Sequence, residues 1–272
     1  MLRFIVFVII GMIYVFPVSA QEQQVQTLAE LIDETTQRSL ADDFLDDFEQ
    51  PVEIRLDAIK QAALSYGARA GLAKRTQEIR DSIEQQSAAL DRIYDFKRLL
   101  IPSASGLLIE PPIISQGENA TLIESGGQTA AVADKIFNIN RNARIVSTPR
   151  NWRAYLEREW GDLALPPQIL LPRTNEEKRI WIEHLTIGWN EGLEQADEIF
   201  QADLDKLVAD YTGMIRYRKL LSQGIVSAPY ALQVDRGVTG GGDEMRVGDR
   251  AVQITGPSQL MTEAFEWQPV SR

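Results

Sequence analysis

Residues 174–224, TNEEKRIWIEHLTIGWNEGLEQADEIFQADLDKLVADYTGMIRYRKLLSQG, decide the architecture because they read as one long helix. Thr174 is an N-cap residue, and Glu177 three positions later completes a capping box. Glu176 adds negative charge at the positive helix end. Gly224 stands where a helix turns off, and Pro229 prevents resumption. Ile182, Leu185, Trp189, Leu193, Ala196, Phe200, Leu204, Leu207, Tyr211, Met214, Arg218 and Leu221 follow in steps of three and four, and all but Arg218 are apolar. Unbroken, this helix is on the order of 70 Å long at 1.5 Å per residue. A rod of that length fits a scaffold or assembly component better than a compact catalyst.

A second helical pattern lies upstream, from Val52 to about Leu100, opened by Pro51 and closed by Pro102. Its apolar face drifts over residues 73–77, which predicts a kink or break there. Both helices carry small residues spaced by four: Ala63, Gly67 and Gly71 in the first, Gly188, Gly192 and Ala196 in the second. A glycine inside a helix costs about 1 kcal/mol relative to alanine, so these four glycines require compensation. Small residues at this spacing let helix backbones approach closely and gain dispersion contacts. The two ladders are therefore expected to face each other and clamp the long helices together. The competing reading is that the glycines mark helix breaks.

Between the helices, residues 107–114 form an apolar run interrupted by Pro111 and Pro112, which points to an extended or edge segment. Residues 133–139 and 143–147 are expected to pair as a hairpin around Asn140-Arg141-Asn142, with 129–134 readable as helix instead. Thr148-Pro149 signals a short helix carrying Trp152, Tyr155, Leu156 and Trp160. Pro166, Pro167 and Pro172 hold the next connection extended. After the long helix, 230–238 reads as a strand and 239–243 as a loop. Residues 244–247 and 250–255 read as a hairpin turning at Gly248-Asp249. The expected fold class is α+β, helix-dominated, with two long packed helices and small antiparallel β-hairpins.

The first twenty residues read as a signal peptide. Arg3 precedes an apolar run, 4–15, too short to span a bilayer, and Val18-Ser19-Ala20 places cleavage between Ala20 and Gln21. An uncleaved N-terminal anchor is the alternative. Export to the periplasm follows from the leader. The chain carries a net charge of −11, much of it in residues 21–50, where nine acids face only Arg38. That segment reads either as a flexible tether or as a docking arm presenting Leu40, Phe44 and Phe48 on one helical face. The expected organisation is a leader at 1–20, an acidic tether or arm at 21–50, and a single domain at 51–272. The body is nearly charge-balanced with no basic face, which argues against direct nucleic-acid binding.

Catalytic constellations are absent from the sequence. It holds no cysteine and one histidine, His184, so disulfides, thiolate chemistry and His/Cys metal sites drop out. There is no nucleophile elbow and no phosphate-binding loop, and no cofactor is implied. Glu124-Ser125-Gly126 is similar to the glutamate-serine start of some transglycosylase sites. A periplasmic cell-wall-remodelling enzyme is therefore the alternative function, since glycan cleavage uses a raised-pKa carboxylic acid.

Several phrases carry a family resemblance. They are Gly67-Ala68-Arg69-Ala70-Gly71-Leu72, Pro111-Pro112, Arg150-Asn151-Trp152-Arg153-Ala154-Tyr155-Leu156, Pro166-Pro167 and Leu170-Leu171-Pro172. Gly188-Trp189 with Gly192, Gln195-Ala196-Asp197-Glu198-Ile199-Phe200, Gly213-Met214, Tyr217 and Val238-Thr239-Gly240 follow in order. Together they resemble the DotC/TraI family, subunits of the outer-membrane core complex of type IVB secretion and IncI-type conjugation systems. The resemblance implies a structural subunit in a multimeric ring, without catalytic residues. It would work beside a DotD-like (TraH-like) lipoprotein and help bring a DotH-like (TraN-like) subunit to the outer membrane. DotC-like members typically carry a lipid-bearing cysteine after the leader. This sequence has Ala20-Gln21 there, so attachment to the outer membrane is expected through partners.

Overall fold

The computed structural model describes residues 26–41, 52–102, 108–123, 130–158 and 163–267. Its spine is α5, Asn175–Ser222. The capping box is formed: Thr174 Oγ1 accepts from the Glu177 amide at 3.1 Å, and the Glu177 carboxylate accepts from the Thr174 amide at 3.3 Å. At the other end Gly224 takes φ 74°, the left-handed conformation that only glycine adopts without strain. The apolar part of the buried face begins at Trp181 rather than Ile182, which is exposed.

Helix α2, Val52–Gln85, lies along α5. It runs unbroken through 73–77, so the break expected there is absent. The polar residues there belong to the seam instead, since Arg75 Nε donates to Asp197 of α5 at 2.9 Å. The break falls at Gln86, before the short α3, Ser87–Ile93. Arg55 pairs with Glu177, Gly188 sits against Leu64, Gly192 against Ala68, and Arg75 pairs with Asp197. Residue numbers rise together on both helices, so α2 and α5 are parallel.

The seam is a backbone contact. A Cβ at Gly67 would overlap the Leu185 carbonyl and lie 2.9 Å from the Trp189 nitrogen. One at Gly71 would overlap the Trp189 carbonyl, and one at Gly188 would overlap the Leu64 carbonyl. One at Gly192 would overlap the Ala68 carbonyl and lie 2.7 Å from the Leu72 nitrogen. Ala63 and Ala196 are buried beside them. Both glycine pairs lie inside continuous helix.

Parallel helices need a return path. Arg158 is paired with Asp203, while Arg55 donates to the Leu171 carbonyl and to Glu177. Between these two anchor points the chain returns about 39 Å along α5, and residues 168–170 within it form a single 3-10 turn. Pro166, Pro167 and Pro172 suit that path. Helix α1, Leu28–Ala41, packs on the same end. Its Leu31 and Thr35 are fully buried, and Thr35 Oγ1 accepts from Trp181 Nε1 at 3.1 Å.

The strands differ from expectation in pairing. β1 (Ile101–Pro102), β2 (Leu108–Glu110) and β5 (Arg144–Val146) form a small antiparallel sheet in the order β1-β2-β5. β3 (Ile113–Ile123) pairs with β4 (Ala130–Arg141). Residues 133–139 therefore pair backward with β3, and 144–146 join β2, because Asn140 and Arg141 continue β4 and the chain passes to the other sheet through Asn142 and Ala143 instead of turning a hairpin. Residues 130–134 are strand, not helix. Helix α4 is only Arg153–Leu156, starting later than Thr148-Pro149 signalled, because Arg150 is drawn into a buried ion network. At the C-terminal end β6 (Tyr230–Gly241) pairs with β7 (Glu244–Gly256), and the chain reverses at Gly242, φ 63°. Gly248 sits at a register shift within the pairing rather than at the turn.

Three buried clusters are strung along α5. Trp181 and Leu185 pack with Leu31, Ile59 and Tyr66. Leu207 and Met214 pack with Phe96, Trp152 and Leu156. Tyr217 and Leu220 pack with Ile114 and Val226. Because the seam joins backbones, Gly188→Leu is expected to cost more than about 3 kcal/mol and lower Tm by over about 6 °C, or prevent folding. Gly117→Ala, which meets nothing within 4 Å, is expected to stay within about 0.5 kcal/mol of wild type in the same melting assay.

Candidate functional site

Where α5 outruns α2, the strands are tied to it by charge. Glu110, at the end of β2, is only 2% exposed. Its carboxylate accepts from Arg144 Nε and Nη2 at 3.1 and 3.0 Å and from Arg150 Nε at 2.9 Å. Arg150 also reaches α5, donating to Asp210 at 2.8 Å. It donates to the Tyr155 hydroxyl as well, and that hydroxyl donates to Asp210 at 2.7 Å. Arg141, at the end of β4, lies 3.6 Å from Asp210. Sheet, α4 region and long helix thus meet in one satisfied network, the condition under which buried charge is tolerated.

Burial alone pushes the Glu110 carboxyl up. Hydrogen bonds and charges from Arg150 and Arg144 outweigh it and leave the group below its ordinary value. Burial pushes the Tyr155 hydroxyl up to about 12, so it stays protonated and able to donate. At the opposite end of the molecule Glu177 is also desolvated, yet its bonds from Arg55 and from the Arg173 and Thr174 amides hold it low.

A pocket of about 260 Å³ opens beside the network, between the start of β3, the end of β4 and α5. Ser115, Asn140, Arg141, Asp210 and Arg216 give it polar walls. Arg216 Nη1 donates to the Ile114 carbonyl at 2.5 Å. Beyond the body, β6–β7 forms a two-stranded ribbon on which Met245 and Val247 are 72% and 74% exposed. Isolated two-stranded ribbons are marginal in water, and their open edges offer unpaired main-chain groups.

The sequence-predicted residues separate into groups. Ala63, Gly67, Gly71, Gly188, Gly192 and Ala196 come together in the α2–α5 seam. Ala20, Gln21, Phe44, Phe48 and Glu124 lie outside the described residues, and the side chain of Leu40 likewise. The segment before residue 42 meets the body through Leu31 and Thr35. His184 lies in α5 with Nδ1 2.9 Å from the Ile180 carbonyl. Among the described residues no group of three or more His, Cys, Asp or Glu is placed to hold a metal ion. No described helix is long and apolar enough to cross a membrane. The Glu110–Arg150–Asp210 network was missed because its members are 40 and 60 residues apart. Only Arg150 fell within a phrase already singled out.

The family model described as type IV secretory system, conjugal DNA-protein transfer, matches residues 53–269. The chain belongs to this family. No curated protein matches it. The matched span takes in both long helices, the arginine network and the C-terminal ribbon.

In this type IV secretory protein, Glu110→Gln is expected to remove one of the two carboxylates paired with Arg150 and to cost about 1–3 kcal/mol at neutral pH. The wild-type carboxyl is lower in the folded state than in the unfolded chain. Its stabilisation is therefore present above the ordinary carboxyl range and lost as pH falls through the folded value. The gap in Tm between wild type and Glu110→Gln should accordingly narrow below about pH 4.

Proposed function

We propose that this secretory protein is a structural scaffold subunit of a type IVB outer-membrane core complex. Its family membership carries the reading, and the β6–β7 ribbon supports it: a long two-stranded ribbon with exposed apolar side chains such as Val238, Met245 and Val247 is best stabilised when a partner covers it. The protein works in the periplasm after leader removal at Ala20-Gln21, in a multimeric ring. It is held at the outer membrane through a DotD-like (TraH-like) lipoprotein, because no cysteine follows the leader. It helps place a DotH-like (TraN-like) subunit there. In DNA transfer its role is architectural, without direct nucleic-acid binding.

Affinity purification of the tagged chain from the native envelope, with identification of co-purifying subunits, tests this. Recovery of DotD-like and DotH-like subunits is expected, and outer-membrane recovery should fall in strains lacking them. Recovery of the chain alone, or unchanged fractionation in those strains, refutes it. Replacing residues 235–250 with a two-residue Asn-Gly turn between the paired Val234 and Ala251 should shift Tm by less than about 2 °C, since the ribbon buries little. The same change is expected to abolish co-purification.

A further inference from the structure

We infer that the pocket between β3, β4 and α5 receives an acidic peptide segment, and that its occupant is the 42–50 stretch of a second copy of this chain. The first observation is charge. Among the described residues around the junction, the four guanidinium groups of Arg141, Arg144, Arg150 and Arg216 stand with two carboxylates, Glu110 and Asp210. Glu110 is already shared by Arg144 and Arg150, and Asp210 by Arg150, Tyr155 and Arg141. Among the described residues Arg216 has no carboxylate partner; its guanidinium rests on the Ile114 carbonyl. Arg141 is 40% exposed at the pocket wall and only 3.6 Å from its nearest carboxylate. A cationic pocket on a chain of net charge −11 is suited to a carboxylate, which both guanidinium groups bind by charge-assisted hydrogen bonds.

The second observation is what the chain itself offers. Residues 42–50 contain Asp42, Asp43, Asp46, Asp47 and Glu49, with Phe44 and Phe48 between them. On α5 beside the pocket, Val208 and Ile215 are 38% and 44% exposed, a surface for those aromatic rings. Acidic and apolar positions in the segment therefore match cationic and apolar positions around the pocket.

The third observation excludes binding within one molecule. The segment is tethered at its C-terminal side to α2, where Arg55 is bonded to Glu177. The pocket begins at Ala209, about 48 Å further along α5. The ten residues between α1 and α2 span at most about 36 Å even when fully extended. The arm of one copy can reach only the pocket of another. The contact is thus heterologous, joining opposite ends of two rods, and such contacts build rings or open filaments.

The inference deepens the scaffold reading, but it is tested on the purified chain alone, so its failure leaves the proposed envelope partners untouched. Sedimentation of the mature chain should show mass rising with concentration and falling with salt. Arg141→Glu should weaken this association at least about tenfold. The arm variant Asp42→Lys, Asp43→Lys, Asp46→Lys, Asp47→Lys should do the same. That variant changes no residue of the three buried clusters, so it keeps the test valid if Arg141→Glu fails to fold. Mixing the two variants should give dimers and nothing larger, because only one arm–pocket pair remains usable. A labelled peptide of residues 42–50 should bind the arm variant and not Arg141→Glu. A wild-type chain that stays monomeric, an arm variant that associates normally, or inorganic phosphate displacing the peptide at equal concentration overturns the inference.

Discussion

The close approach of two parallel backbones sets everything else in this molecule. Helices packed through leucines sit 8–10 Å apart and can slide or rotate at modest cost. Here Gly67, Gly71, Gly188 and Gly192 each place the partner's main chain where a Cβ would be, so the register is fixed by atoms that cannot move aside. The ion pairs at Arg55–Glu177 and Arg75–Asp197 flank this seam and share its offset. Arg75–Asp197 is exposed and contributes little energy on its own, whereas Glu177 is buried. Their role is to agree with the glycines about register. The parallel direction then obliges the chain to return the length of the helices before α5 begins. The β elements and the proline-rich stretch occupy that return.

Beyond Gln85, where α2 ends, α5 continues for about 22 Å beside short elements, α4 among them. Apolar packing from Phe96, Trp152 and Ile114 covers part of it. Gly213 again admits a backbone, with a Cβ there meeting Ile114 nitrogen and oxygen at 3.2 Å. The network of Glu110, Arg150 and Asp210 supplies direction that apolar contacts lack. Buried ion groups contribute less net stability than well-packed hydrophobic residues, yet removing one partner is costly. In this position they fix the angle at which β2 meets α5, and so the orientation of the β3–β4 ribbon.

Much of this was legible in the sequence where the signal was local and periodic. The capping box at Thr174 and Glu177 needs only three residues of context. The four-residue spacing of the glycines implies a helix–helix approach without any knowledge of the partner. Strand pairing was harder to read because it is non-local. Residues 133–139 have strand character, but whether they pair forward with 143–147 or backward with 113–123 depends on Asn140 and Arg141, which face the α5 pocket. Likewise Gly248 and Gly242 are equally good turn glycines in isolation. The longer ladder ending at Gly242 prevails because each added pair contributes along the whole ribbon. The arginine network had no local signature, since its charges meet only after the return path is closed.

The fold divides its labour in a way that suits a secretory assembly. Stability is concentrated along α5, where all three buried clusters lie. The β6–β7 ribbon stands apart from them, with Val238, Met245 and Val247 turned to solvent. A subunit that folds before joining its neighbours needs a core that does not depend on them. It also needs surfaces whose stability does depend on them. The rigid parallel pair supplies the first by making its register unambiguous. A two-stranded ribbon with open edges supplies the second, because its main-chain and apolar groups are best satisfied by another chain. Placing these surfaces along a rod rather than around a sphere also separates them, so that neighbours bound at different ends do not compete for the same area.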